Sequence, residues 1–324
     1  MGFFMARSET KKLAPLSTPR FLIFNCVALA WLIPAALFIG GADSILISEI
    51  RVPRVVTALL AGIAIAIASL VTQATFTNPI VEPSFLGLSS GAALGAIIAV
   101  FLGIGRIGDP IILISAVVGA LLTAALILNL TKARSALVLI LTGIAITAIV
   151  SALVGGAISL LDRSDIRSFS FWTLGSLALA DWPAAITIAI SLVVTLPIAL
   201  RISRKLDLLT LGELSLRHLG VNIAQLRIAS FLVISLLVAA TVSAIGSIAF
   251  VGLASVHITR SLIGPAHKPL LLLSGLFSAN ILIAADLTAR RAFFPQELPI
   301  GFIISILAAP VLIIALRNQR VWSE

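Results

Sequence analysis

The sequence predicts an all-α polytopic membrane protein of about ten transmembrane helices with a weak inverted repeat. Three observations carry this. Of the 324 residues, 60% are hydrophobic and only 11% charged, against roughly 25% charged in soluble chains. Apolar runs of spanning length or close to it recur along the whole chain, at 21–39, 55–75, 85–102, 111–130, 135–161, 184–200, 228–245, 248–263, 270–287 and 300–316. Those runs are continuous rather than alternating, which argues against an outer-membrane barrel.

The first run follows Arg7, Lys11, Lys12 and Arg20. That order of parts also suits a secretion signal, with small residues at 40–42. A signal has an apolar core of about 7–15 residues, however, and this run is longer. An uncleaved first helix is expected. Residues 1–20 and 317–324 then form cytoplasmic tails around a single transmembrane domain, 21–316.

The stretch 51–98 organises the rest. Arg51 and Arg54 flank Pro53, and an apolar run of small residues continues through Val71. A polar break, 73–83, holds Asn78-Pro79 and Glu82-Pro83. Such a break must be packed in protein, because backbone groups facing lipid would go unpaired. The next run carries Gly87, Gly91 and Gly95, four apart. They share one helix face and admit another backbone. Residues 87–91 also read G-x-S-x-G. In soluble hydrolases that pattern needs a strand–turn–helix elbow, which an apolar helix lacks. An intramembrane serine protease would pair Ser89 with a histidine, and His257 alone lies in an apolar run. Helix packing is the preferred reading for both residues.

Phe85-Leu86-Gly87-Leu88-Ser89-Ser90 recurs as Phe250-Val251-Gly252-Leu253-Ala254-Ser255. With ten spans the two copies run in opposite directions, the mark of an inverted repeat. Two longer polar intervals remain. Residues 162–181 contain Phe171-Trp172 and predict a short interfacial helix. Residues 203–227 mix leucines with charge and hold Gly212 and Gly220, which predicts an amphipathic element.

Ten spans place both ends on one side. With the N-terminus inside, Arg51, Arg54, Arg106, Arg163, Arg167, Arg290 and Arg291 lie outside, and the other 15 of the 22 Lys and Arg residues lie inside. The positive-inside rule supports this orientation. The net charge of +9 is therefore an orientation signal, and no nucleic acid partner is expected.

The sequence offers little covalent chemistry. Cys26 is single, so no internal disulfide can form. His218, His257 and His267 have no metal-ligand spacing. A phosphate loop needs G-K-[ST], and none of the five lysines follows a glycine. The spans hold almost no carboxylates, with Asp286 near the end of the ninth, so no proton- or sodium-coupled pathway is legible. Energy must come from another chain, and no cofactor is expected.

Arg51-Val52-Pro53-Arg54, then Q-x-x-x-x-N-P from Gln73, then E-P-x-x-L-G-x-x-x-G-A from Glu82 together resemble the FecCD/BtuC-like permease subunits of bacterial ABC importers for iron chelates, haem and vitamin B12. The likeness extends to about Leu316. Phe171-Trp172 with Gly175-Ser176-Leu177 and Trp182 is similar to that family's outer short helix. The family usually has proline where this chain has Ser247 and Val256, which removes two expected kinks.

The resemblance implies a type II importer permease in the bacterial cytoplasmic membrane, surrounded by membrane lipid, with no enzymatic activity of its own. It implies a second permease subunit, identical or paralogous, two ATP-binding subunits below, and an extracytoplasmic substrate-binding protein above. Ferric siderophore is the first expected cargo, ahead of haem and cobalamin. Matched positions give Arg51, Arg54 and Arg290 as the receptor-docking residues. They give Asn78, Pro79 and Ile80 as a cytoplasmic constriction. Within 203–227 they give Leu209, Gly212, Glu213, Leu216, Leu219 and Gly220 as the ATPase-coupling set.

Overall fold

A computed structural model describes residues 17–40, 43–132, 135–209, 212, 216, 218–294 and 296–319. Eleven α-helices follow in order: α1 (Thr18–Phe38), α2 (Val52–Thr75), α3 (Leu88–Phe101), α4 (Pro110–Thr131), α5 (Ala136–Ile158), α6 (Arg163–Thr173), α7 (Trp182–Leu209), α8 (Ile223–Ile245), α9 (Val251–Ile263), α10 (His267–Arg291) and α11 (Ile300–Gln319). A π-helical turn, Leu46–Arg51, leads into α2, and a 3₁₀ turn, Pro83–Leu86, leads into α3. Each of the ten apolar runs forms a helix, and α6 is the expected short helix of the 162–181 interval.

Among the described residues, seven helices are long and apolar enough to cross a membrane: α1, α2 with its leading turn, α4, α5, α7, α8 and α10. The two copies of the sequence repeat form the short helices α3, of 14 residues, and α9, of 13. At 1.5 Å per residue each is about 20 Å long, short of the roughly 30 Å hydrocarbon core. Both must therefore start or stop inside the bundle.

Helices α2, α8 and α10 form the buried centre, whereas α1, α4, α5 and α7 turn large apolar side chains such as Trp31, Leu122, Leu137 and Val193 outward. Outward apolar side chains suit a lipid solvent. Small residues set a close helix contact between α3 and α4. A Cβ on Gly95 would land on the Ser115 carbonyl, and one on Gly119 would land on the Gly91 carbonyl. The glycine face of α3 is thus a backbone-to-backbone seam with α4, as the packing reading of the sequence expects.

The break between α8 and α9 forms without proline. Gly246 has φ 74°, and a Cβ there would overlap the Trp172 carbonyl. Phe250 adopts φ 67° as the N-cap of α9. Val256 is fully buried within α9, which runs unbroken through it. The two missing prolines therefore leave the break and the helix in place.

The coupling segment needs a correction. Helix α7 continues through Arg201, Arg204, Lys205 and Asp207 to Leu209, and α8 starts at Ile223. The expected loop 203–227 shrinks to the connection 210–222. Charge ends a hydropathy window, but it does not by itself end a helix. Glu213 lies outside the described residues, as do the tails 1–16 and 320–324.

Candidate functional site

Three places gather the residues singled out from the sequence. The first is the end of the bundle where α2 begins. Arg54 is buried there and holds two carboxylates. Its Nε and Nη2 donate to Asp286 Oδ1 at 2.9 and 2.8 Å, and its Nη1 and Nη2 donate to Glu297 Oε1 and Oε2 at 3.2 and 2.9 Å. Arg290 approaches Asp286 Oδ2 at 3.2 Å and donates to the Ala36 carbonyl. Arg51 donates to the carbonyls of Leu37 and Gly40. The ends of α1 and α10, the start of α2 and the approach to α11 are thus tied together.

These groups line an open depression of about 280 Å³, with Arg51, Arg54, Arg290, Arg291 and Glu297 on its walls. The structure brings together the three arginines predicted to dock a receptor. Arg51 and Arg54 are only 7% and 5% exposed, because each serves internal acceptors. Four guanidiniums face two carboxylates, so the depression keeps a net positive charge. The pairing of Asp286 and Glu297 with Arg54 is not legible in the sequence, because the arginine is 232 and 243 residues away.

The second place is the polar break after α2. Asn78 N–H donates to the Gln73 carbonyl at 3.0 Å, and Ile80 N–H donates to Asn78 Oδ1 at 3.1 Å. This Asx turn holds a tight, defined loop. Asn78 is exposed, and Pro79 and Ile80 are partly so. Beyond them the chain turns back into the bundle. Glu82 is 3% exposed, and its Oε1 accepts the Phe250 N–H, the N-cap of α9, at 2.7 Å. A cavity of about 40 Å³ sits beside it, lined by Ser69, Glu82, Ser89, Thr241 and Ser247 among others. Ser89 thus meets a carboxylate and hydroxyls there, and no histidine is among the residues lining this cavity. The geometry supports a packing role for Ser89.

The third place is the far end of α7 and the 210–222 connection. Leu209 and Leu216 are buried, at 4% and 0%, whereas Leu219 is 62% exposed. Of the three leucines expected to form a docking face, two support the connection from beneath and one points out. Gly212 and Gly220 take φ 91° and 75°, the left-handed turns expected of them. Beside this, His267 at the start of α10 donates its backbone N–H to Asp207 Oδ1 at 3.0 Å, and its Nδ1 pairs with the same oxygen. Among the described residues, no group of three or more His, Cys, Asp or Glu could hold a metal ion.

An all-helical bundle with seven spanning helices, two half-length helices and a charged depression at one end defines a multi-pass membrane permease. Residues 21–318 match the FecCD transport family, and the chain belongs to that family. It is 34% identical to the hemin transport system permease protein HmuU of Yersinia pestis over 285 residues, covering 84% of this chain and 83% of that one. It is 35% identical to the vitamin B12 import system permease protein BtuC of Escherichia coli O6:H1 over 293 residues, covering 90% and 89%. An inward-facing structure of a transporter assigned to the metal-chelate type of ABC transporters superposes with a TM-score of 0.85 at 30% identity, covering 93% of this chain and 99% of that one. The PsaBC structure from Streptococcus pneumoniae, at 17% identity and a TM-score of 0.59, shares the fold.

Proposed function

We propose that this chain is the permease subunit of an ATP-driven importer of iron chelates in the bacterial cytoplasmic membrane, with its N-terminus cytoplasmic. Ferric siderophore is the first cargo. The relatives named for hemin and vitamin B12 transport make those two the alternatives. The observation that carries the reading is the division of features between the two ends of α2. One end has a cationic depression suited to a docking protein, and the other has an exposed Asx-turn loop suited to a constriction. The membrane-spanning interior between them carries no chain of carboxylates to couple an ion gradient.

In this reading a substrate-binding protein presents acidic side chains to the depression of Arg51, Arg54 and Arg290. Asn78, Pro79 and Ile80 meet those of a second permease subunit, a copy or a paralogue, at the inner end. The 210–222 connection docks on an ATPase through Leu219, with two ATPases per complex. The experiment is uptake by reconstituted complexes offered ferric siderophore, haem or cobalamin singly. ATP-dependent accumulation of a ferric siderophore supports the first reading, and accumulation of haem or cobalamin alone replaces it. ATP-independent uptake driven by a proton or sodium gradient refutes it.

A further inference from the structure

Helix α9 touches the polar break at both of its ends. At its N-terminus the Phe250 N–H donates to Glu82. Near its C-terminus Arg260 Nη2 donates to Gln73 Oε1 at 3.0 Å. Gln73 opens the break and Glu82 closes it. Between the two contact points α9 rises about 15 Å, so the last turn of α2 and the loop that follows it are attached to one rigid rod at two places. Both anchor side chains on the break are buried, Gln73 and Glu82 being 3% exposed each. The middle of the segment, Thr77 and Asn78, stands free at the surface.

The rod is joined to the ATPase-facing end. Only residues 264–266 separate α9 from α10, whose first residue, His267, is tied to Asp207 on α7. Asp207 lies two residues before α7 ends and the 210–222 connection begins. Movement of that connection therefore has a hydrogen-bonded route to the C-terminal end of α9, and from there to the loop of Asn78 and Ile80.

We propose that α9 carries the inner gate, with Arg260 and Glu82 as positioning residues that pin the gate segment to it. This rests on the reading of Asn78–Ile80 as a constriction. A segment held at both ends of one helix must follow that helix. A segment held at one end would be free to open by itself. The physical expectation is that the gate stays shut without nucleotide because both pins hold.

The test uses the assembled complex with its ATP-binding subunits, in inside-out vesicles. Ile80→Cys is introduced in a Cys26→Ser background, and its labelling rate by a membrane-impermeant maleimide is followed with and without ATP. Arg260→Met should raise the rate in the absence of nucleotide by about tenfold, the size expected when a charge-assisted hydrogen bond is lost. Gln73→Met should do the same, and the double variant should be no worse than either, because both remove one contact. Gln73→Glu keeps an acceptor and should restore the closed rate. Should Arg260→Met fail to assemble, Gln73→Met reads the same contact with the arginine in place. Labelling of Ile80→Cys that ignores ATP in the otherwise unaltered chain would sink the constriction reading and this proposal with it. Labelling that responds to ATP but ignores both variants, or effects that add, would refute the role of α9 and leave the constriction standing.

Discussion

Asp286 should matter far more to this fold than Glu297, although both bind the same arginine. Asp286 is 1% exposed. It accepts two hydrogen bonds from Arg54 and faces Arg290 as well. Its removal leaves Arg54 and Arg290, with Arg51 nearby, facing a single carboxylate. Leaving a buried charge without its partner costs about 3–5 kcal/mol. The Glu297 side chain is 35% exposed. Water can take its place on Arg54, and a partly exposed pair is worth only about 1 kcal/mol. Unfolding of the purified chain in mixed detergent and SDS micelles, followed by circular dichroism, measures both. Asp286→Ala should lose several times more free energy than Glu297→Ala, with Asp286→Asn between them. Equal losses, or a loss under about 1 kcal/mol for Asp286→Ala, would refute the assignment of Asp286 as the buried hub.

Gly119→Val should separate α3 from α4 and destabilise the same unfolding transition by about 1–3 kcal/mol, whereas substitution at Gly103, which faces open space, should not do so through any clash. Ser89→Ala should leave uptake near the level of the unaltered chain, and Ser89 should not react with a fluorophosphonate probe. Specific labelling would instead establish a nucleophile. Leu219→Asp should release the ATP-binding subunits from a folded permease, read by co-purification. Leu216→Asp should disrupt the local fold itself, because its side chain is fully buried.

The helical class and the order of the apolar helices were legible because each of these elements is written locally as an apolar run. The end of α7 was not, since hydropathy reports where apolar residues stop, and α7 continues past that point through Arg201 to Asp207. The starts of the two repeat helices differ by two residues relative to the aligned copies, at Leu88 and Val251. Phe250 takes a left-handed conformation that no propensity scale favours, and its N–H is held by a carboxylate 168 residues earlier. The same holds at the arginine cluster. The family resemblance marked Arg51, Arg54 and Arg290 as a group, but most of their acceptors are far away in the sequence. Burial of Leu216 was equally unreadable, since an amphipathic pattern says which face is apolar and not what covers it.

The arginine cluster has a mechanical consequence. It fastens α1, α2, α10 and the approach to α11 at one end only. The same helices also touch along their length, through Asn25 and Asn280 and through Gly62 against Ala279, so the cluster acts as a fulcrum about which they tilt together. Helix α2, with 24 residues, is about 36 Å long. A tilt of about 5° at the fulcrum would carry its far end roughly 3 Å, while the arginine-lined depression hardly changes shape. The end that carries the cluster can then stay constant while the opposite end moves, and the amplitude of that movement is set by the length of the helices and not by any change at the cluster.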